Sequence, residues 1–351
     1  MEHLLFPLLI TLSLLFGFIN GYHDGSNVVA TTILSRSIEP RKALLFVSMA
    51  ELAGALLFGS AVAHAIGSEL LDPLFFHPAR RLASSLVLFS VLGGTITWSV
   101  MTWWVGMPPS SSHCLMGGLM GAAMAAMGLD MINWSLLLKL GIILLAAPLA
   151  GALGGRLATS VFPTPRGDGA GGGESLFRRS QWLSLFLIGA SHGTNNAQKA
   201  MALTTMALVL SGSLRVFEIP WWVFLGCGGC LALGVYVGGW NIVRVLGNRI
   251  FRITPSHAFL SQAVSGSIML VSSICGSPVS AVEVIKSSVI GVGAGKRARN
   301  VHWMAFRDML LAWLVTLPAT ALLAASIYWI ASGALGEGMG SFESIMRSLG
   351  Q

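Results

Sequence analysis

The chain has 351 residues, 54% of them hydrophobic and only 10% charged. A soluble domain carries about 25% charged residues, so the composition excludes an ordinary soluble protein and points to a polytopic membrane protein. The formal net charge of +7 does not point to nucleic acid, because basic residues in the short loops of a membrane protein set its orientation.

The first apolar run, residues 4–19, lacks a basic leader region and a small-residue cleavage site, so it reads as a membrane segment and not a signal peptide. It leads directly into NGYHDGSNVVATT, residues 20–32, which brings Asn20, His23, Asp24 and Asn27 into apolar surroundings. The stretches 82–107, 220–240 and 309–336 are uncharged, and about 20 such residues span a bilayer core of about 30 Å. GMPPSSSH, residues 106–113, reads as a loop that opens a helix near Ser110 to Ser112, and the run that follows, 114–129, is short for a span. Residues 162–179 contain PTPRGDGAGGGE and read as a flexible linker. SHGTNNAQKAM, residues 191–201, separates two half-length apolar pieces, 181–191 and 200–211, and GSPVSAVE occupies 276–283. Cys227 and Cys230 match a C-x-x-C spacing but lie in an apolar helix, where small residues at a helix interface explain them better than redox or metal chemistry.

The linker divides two related halves. Asp24 and Ser110 are 86 positions apart, and Asn196 and Ser280 are 84 apart. Gly106, Pro108 and Ser110 match Gly276, Pro278 and Ser280. The basic residues favour one loop in each corresponding pair, and the favoured loop alternates between the halves, as an inverted repeat requires. On that rule 35–42, the linker, 244–252 and 296–307 are cytoplasmic and both termini lie outside. The expected fold is all-α, with two inverted repeats, broken or half-length helices at the midplane and about 10–12 transmembrane segments. The expected divisions are a first repeat at 1–155, a linker at 156–180, a second repeat at 181–335 and a polar tail at 336–351.

Ionisable groups within a membrane are costly and mark function by default. Asp24 is the sharpest case. Ser110, Ser111 and Ser112 read as a plain helix cap or as an anion site of hydroxyls and free N–H groups at a helix N-terminus, and the matching Pro278 and Ser280 favour the anion site. Asn195, Asn196 and Gln198 supply amides. Lys199 supplies a cation for substrate, or else snorkels or pairs with a carboxylate. His113 and His192 are functional or are helix-end residues bound to a carbonyl. Glu283 is a proton carrier or the partner of Lys286 one turn on. Together these residues describe an anion site between two halves, with Asp24 binding a cation or a protonated anion oxygen.

The four motifs resemble those of the inorganic phosphate transporter family often called PiT, in the same order from about residue 16 to residue 328. The resemblance implies a secondary phosphate transporter driven by Na⁺ or H⁺, with a transport and a scaffold domain, in a family whose members are often dimeric. In some bacterial relatives the cargo is a neutral metal–phosphate complex. Carried over by position, the site residues are Asp24, Asn27, Ser110, Ser111, Ser112, Asn195, Gln198 and Ser280, with Asn196 and Lys199 beside them and Asn20, His23, Asp24 and Glu283 as ion-coupling groups. Two departures stand out: the family's second aspartate is Asn196, and Ala281, Val282 and Glu283 replace Thr-Thr-His. Loss of a carboxylate weakens a hard-cation site, which favours H⁺ over Na⁺; loss of acceptor groups facing the ligand makes sulfate, a tetrahedral anion with no proton to donate, the alternative substrate. No organic cofactor, fixed metal site or nucleic-acid partner is expected; the partners are phosphate and membrane lipid, in the plasma (inner) membrane. A membrane-embedded hydrolase built on Ser111, His113 and Asp24 is the competing class, disfavoured because the polar groups come in duplicate and no zinc-protease motif is present.

Overall fold

A backbone in lipid must satisfy its own N–H and C=O groups, which makes the helix its default. The computed structural model describes residues 2–106, 110–162, 172–240, 253–297 and 304–334. These form helices α1 (Glu2–Leu34), α2 (Pro40–Leu57), α3 (Ala61–His64, continued by a wide turn to Glu69), α4 (Arg81–Val105), α5 (Ser111–Met127), α6 (Trp134–Val161), α7 (Gly172–Ser211), α8 (Trp221–Gly238), α9 (Pro255–Ile274), α10 (Ala281–Arg297) and α11 (Met304–Ala334). The expected linker core at 163–171, the basic residues Arg244, Arg249 and Arg252, the loop at 298–303 and the tail at 336–351 lie outside the described residues, as do Pro108 and Pro109.

Six of these helices are long and apolar enough to cross a membrane, and α2 with α3 and its continuation passes the same test as a pair bent by 66°, a broken span or a re-entrant loop. The others, α5, α7 and α10, carry the second, third and fourth polar motifs; with them the described residues supply ten helical segments. Lipid-facing surface is plain on α6, where Leu138, Ile142, Leu145, Leu149, Leu153 and Leu157 are all exposed at helical spacing.

The motifs divide into two kinds. Half-length pieces were expected around the third motif, and the structure corrects this: α7 is a single helix of 40 residues that runs through it. The first motif likewise lies within the 33-residue α1. Neither needs a break, because the polar residues recur at helical spacing. Asn20, Asp24, Asn27 and Thr31 fall on one face of α1, and Gln181, Ser184, Ser191, Asn195 and Gln198 form a similar stripe on α7.

The second and fourth motifs do interrupt the chain. Gly106 ends α4 at φ 74°, and Gly276 follows α9 at φ 73°, both in the left-handed region that terminates helices. The helices that follow, α5 and α10, have 17 residues each, about 25 Å of rise against a core of about 30 Å.

The halves interlock. α1 packs on α8 and α7 on α2; α5 packs on α11 and α10 on α6. The α2–α7 contact is close because Gly54 and Gly193 leave room for backbone: a Cβ at Gly54 would strike the Ala190 carbonyl, and one at Gly193 would strike the Glu51 backbone. Thr194 Oγ1 also donates to the Gly54 carbonyl at 3.0 Å. Gly193→Ala is therefore expected to destabilise the protein by about 1–3 kcal/mol, read as a lower melting temperature in detergent. Gly141→Ala, where the added methyl meets open space, is expected to leave the melting temperature unchanged or slightly raised.

Candidate functional site

The two interruptions meet. Ser110 caps α5, its Oγ accepting from the His113 N–H at 3.4 Å. The same hydroxyl donates to Ser280 Oγ at 2.9 Å, at the start of α10. Two helix N-termini from opposite halves are thus joined side chain to side chain, with their positive dipole ends together.

Asn195 holds this junction in place. Its Nδ2 donates to the Val279 carbonyl at 2.8 Å, and its Oδ1 accepts from the Val279 N–H at 3.1 Å. Ser112 Oγ donates to the same carbonyl at 2.8 Å. Both ends of the Asn195 amide are engaged by the fourth-motif loop, so it acts as a clamp.

Beside the junction lies a chain of buried polar groups on α7, α1 and α2. Lys199 Nζ donates to Asn196 Oδ1 at 2.5 Å and to Ser111 Oγ at 3.0 Å. Asn196 Nδ2 donates to Asp24 Oδ2 at 3.2 Å and lies 2.6 Å from His192 Nε2. His192 Nε2 is 3.6 Å from Asp24 Oδ2, and its Nδ1 is 2.8 Å from Glu51 Oε1. The last contact lacks hydrogen-bond alignment, so both Glu51 oxygens are without a hydrogen-bond partner. Glu51, His192, Asn196 and Lys199 have no solvent exposure, and Asp24 has 4%. The Lys199 ammonium supplies a positive charge among these carboxylates, and buried charges are tolerated where they are paired and hydrogen-bonded.

On the other side of the junction, Ser110 Oγ is 2.7 Å from His113 Nδ1, and that nitrogen is 3.5 Å from Glu283 Oε1. The helix-end reading of His192 is therefore corrected, since it sits in the middle of α7 against side chains of the cluster, whereas His113 lies in the first turn of α5.

Of the residues expected from sequence, Asp24, Ser110, Ser111, Ser112, Asn195, Asn196, Lys199, Ser280 and Glu283 come together in these contacts. Others do not join them. Gln198 Oε1 instead accepts from the N–H groups of Val62 and Ala63 at 2.7 and 3.2 Å, capping α3. His23 stacks on Trp103 with centroids 6.3 Å apart. Asn27 is half-buried and makes no hydrogen bond to the cluster among the described residues. Asn20 lies one turn before Asp24, buried, with an Nδ2 that has no partner.

Glu51 was not among the residues expected. The signal was present: it is the sole Asp, Glu, Lys or Arg in residues 43–68, the same anomaly that marks Asp24. Breaking a buried charged pair from one side costs about 3–5 kcal/mol, so Glu51→Ala is expected to lower the stability of the purified protein by about that amount. Thermal denaturation checks it, with Glu39→Ala, an exposed member of a surface pair with Lys42, as the near-silent comparison.

Known proteins share this sequence and shape. The sequence model of the phosphate transporter family matches residues 20–165 and 168–324. A "probable low-affinity inorganic phosphate transporter" of Bacillus subtilis is 34% identical, the match covering 92% of this chain and 96% of that one. A protein of Mycobacterium tuberculosis with the same description is 38% identical over 92% of this chain and 77% of its own. A solved structure described as "the sodium-dependent phosphate transporter" superposes with a TM-score of 0.83 at 21% identity, covering 93% of this chain and 99% of the other. At that identity the likeness establishes the fold.

Proposed function

The chain belongs to the phosphate transporter family, and from that premise we propose that it carries inorganic phosphate as a proton-coupled symporter by alternating access. The observation that carries the substrate reading is the Ser110–Ser280 junction, two helix N-termini beside the buried ammonium of Lys199. Helix N-termini bind oxyanions through free N–H groups and dipole, and an ammonium is a compact phosphate-binding charge. The partnerless Nδ2 of Asn20 adds a buried donor near Asp24. In this reading Ser110, Ser111, Ser280, Lys199 and Asn20 face the anion, and Asp24 accepts from a protonated phosphate oxygen. Asn195 and Ser112 position the loop.

Alternating access needs two related halves and two closures. The swapped packing, α1 on α8 against α7 on α2, supports an inverted repeat. One closure is polar. Gln262 Nε2 donates to Thr31 and Thr32 at 2.9 and 2.7 Å, while its Oε1 accepts from Gln181 and Ser184 at 2.6 and 2.8 Å. These bonds tie α1, α7 and α9. The repeat offset places fully buried Leu9 opposite Gln181 and Leu92 opposite Gln262, so the other closure is apolar. We place the polar closure towards the cytoplasm, with the basic loop 35–42, and both termini outside.

Coupling turns on Asn196. Its amide gives one N–H to Asp24 and takes one from Lys199. A carboxylate there would have no hydrogen to give, and two carboxylates at that separation hold together only through a shared proton or a bridging cation. The amide N–H thus stands where a cation would bridge. This supports protons over Na⁺, with Glu283 and the Glu51–His192–Asp24 chain as the groups that exchange them.

Uptake of labelled phosphate into proteoliposomes tests the reading. An acid-outside gradient is expected to drive uptake that sulfate does not block; uptake of sulfate in place of phosphate would assign the alternative anion. Asp24→Asn is expected to reduce uptake by about 30-fold or more, since losing a buried charged partner costs about 2–5 kcal/mol, with a folded protein by size-exclusion chromatography. Asn196→Asp is expected to make uptake Na⁺-dependent, and an unchanged ion profile would remove position 196 from the coupling site.

A further inference from the structure

A cavity of about 280 Å³ lies away from the buried cluster, walled by α3 and its continuation, the start of α6 and the end of α9. Its polar lining is His64, Glu69, Lys139 and Ser277, and Cys275 also forms part of the wall. Lys139, Glu69 and Cys275 are exposed, whereas Ser277 is buried. The cavity therefore runs from a charged mouth to a polar floor.

The floor is part of the fourth motif. Ser277 precedes by two residues Val279, the residue clamped by Asn195 and Ser112. Two residues of chain span at most about 7 Å, so the end of the cavity and the junction are neighbours. The wall is also tied to the site: α3 is capped by Gln198, next in sequence to Lys199. Gly276 makes the join possible, with its left-handed φ of 73° and the Ala61 carbonyl 3.3 Å from where a Cβ would sit.

We propose that this cavity is the outer vestibule of the transport path, a low-affinity waiting site for inorganic phosphate with Lys139 and Glu69 setting the charge of its mouth. The inference rests on the phosphate reading and on the orientation given above. Lys139 attracts the anion and Glu69 opposes it, while His64 and Ser277 supply hydrogen-bonding groups further in. Charge at a cleft mouth changes the local concentration of a charged substrate and not the later steps, so the two residues act on KM in opposite directions.

Cys275 gives direct access. The other cysteines are buried, or half-buried in the case of Cys230. Phosphate-uptake-deficient cells expressing the full chain are treated with a membrane-impermeant sulfonate-bearing methanethiosulfonate, and labelled phosphate uptake is measured. The expected result is a loss of about tenfold or more from steric and charge block of the mouth. Millimolar phosphate in the medium is expected to slow the loss, and the reagent is expected to leave Cys275→Ser at its own untreated level. Lys139→Gln is expected to raise KM by about threefold or more and Glu69→Gln to lower it, each with the maximal rate unchanged. Three results overturn the vestibule: full uptake with Cys275 shown by mass spectrometry to be modified, no modification from outside, or block that phosphate does not slow. Absence of phosphate uptake by the untreated wild-type chain would instead overturn the function proposed above.

Discussion

A lysine without solvent exposure constrains everything around it. Lys199 is among the largest fully buried side chains in the protein, and an isolated ammonium in that position would be prohibitively costly. The structure answers with near neighbours of two kinds. Asn196 and Ser111 give neutral acceptors directly, and Asp24 stands behind Asn196. The helix breaks at Gly106 and Gly276 follow from the same requirement. An unbroken helix would present only side chains, whereas a helix start inside the protein presents N–H groups and hydroxyls to the same small volume. Short α5 and α10, the Ser110–Ser280 bond and the Asn195 clamp all bring those starts to the lysine.

The second and fourth motifs were legible in the sequence because glycine, proline and serine determine backbone locally: a left-handed glycine ends one helix and a serine caps the next. The first and third motifs misled in one respect. Dense polar residues in an apolar run suggest a break, yet helix continuity depends on backbone hydrogen bonds, which Asn20, Asp24, Asn195 and Gln198 leave untouched. Their spacing placed them on a stripe, and the stripe was the better guide. Glu51 escaped because it lies in no motif: only the close approach of α2 to α7 at Gly54 and Gly193 sets it against His192, a tertiary fact. The split between residues that form the cluster and residues that support it was equally hidden. Nothing local says that Asn195 binds backbone through both ends of its amide, or that Gln198 caps α3.

The buried polar groups outside the cluster follow another rule. The Gln262 tie satisfies side-chain groups of α1, α7 and α9 with one another. In a low-dielectric interior such a network is stable while complete and costly when half-broken. A contact of that kind suits a closure with two states, because partial opening is the least favourable arrangement. Water entering behind a separating helix can replace each lost partner, which lowers the cost of full opening. The leucines opposite it, Leu9 and Leu92, have no such option, since exposing apolar area costs about 25 cal/mol per Å² whatever enters. In the alternating-access cycle proposed above, two closures of different chemistry open at different cost.

Asn196 shows how one substitution reorganises an ionic site. An aspartate at that position would accept from Lys199 equally well, but it would form an ion pair with it and draw the ammonium away from any other anion. It would also place a second negative charge against Asp24, to be offset by a bound cation in every state of the cycle. The amide removes both demands at once: it accepts from the lysine without neutralising it and donates to the aspartate without adding charge. Lys199 thus has no formal negative charge against it at position 196, and Asp24 keeps a hydrogen-bond partner there. In the proton-coupled reading proposed above, the positive charge that faces the anion is a side chain of the protein and not a cation imported with each turnover.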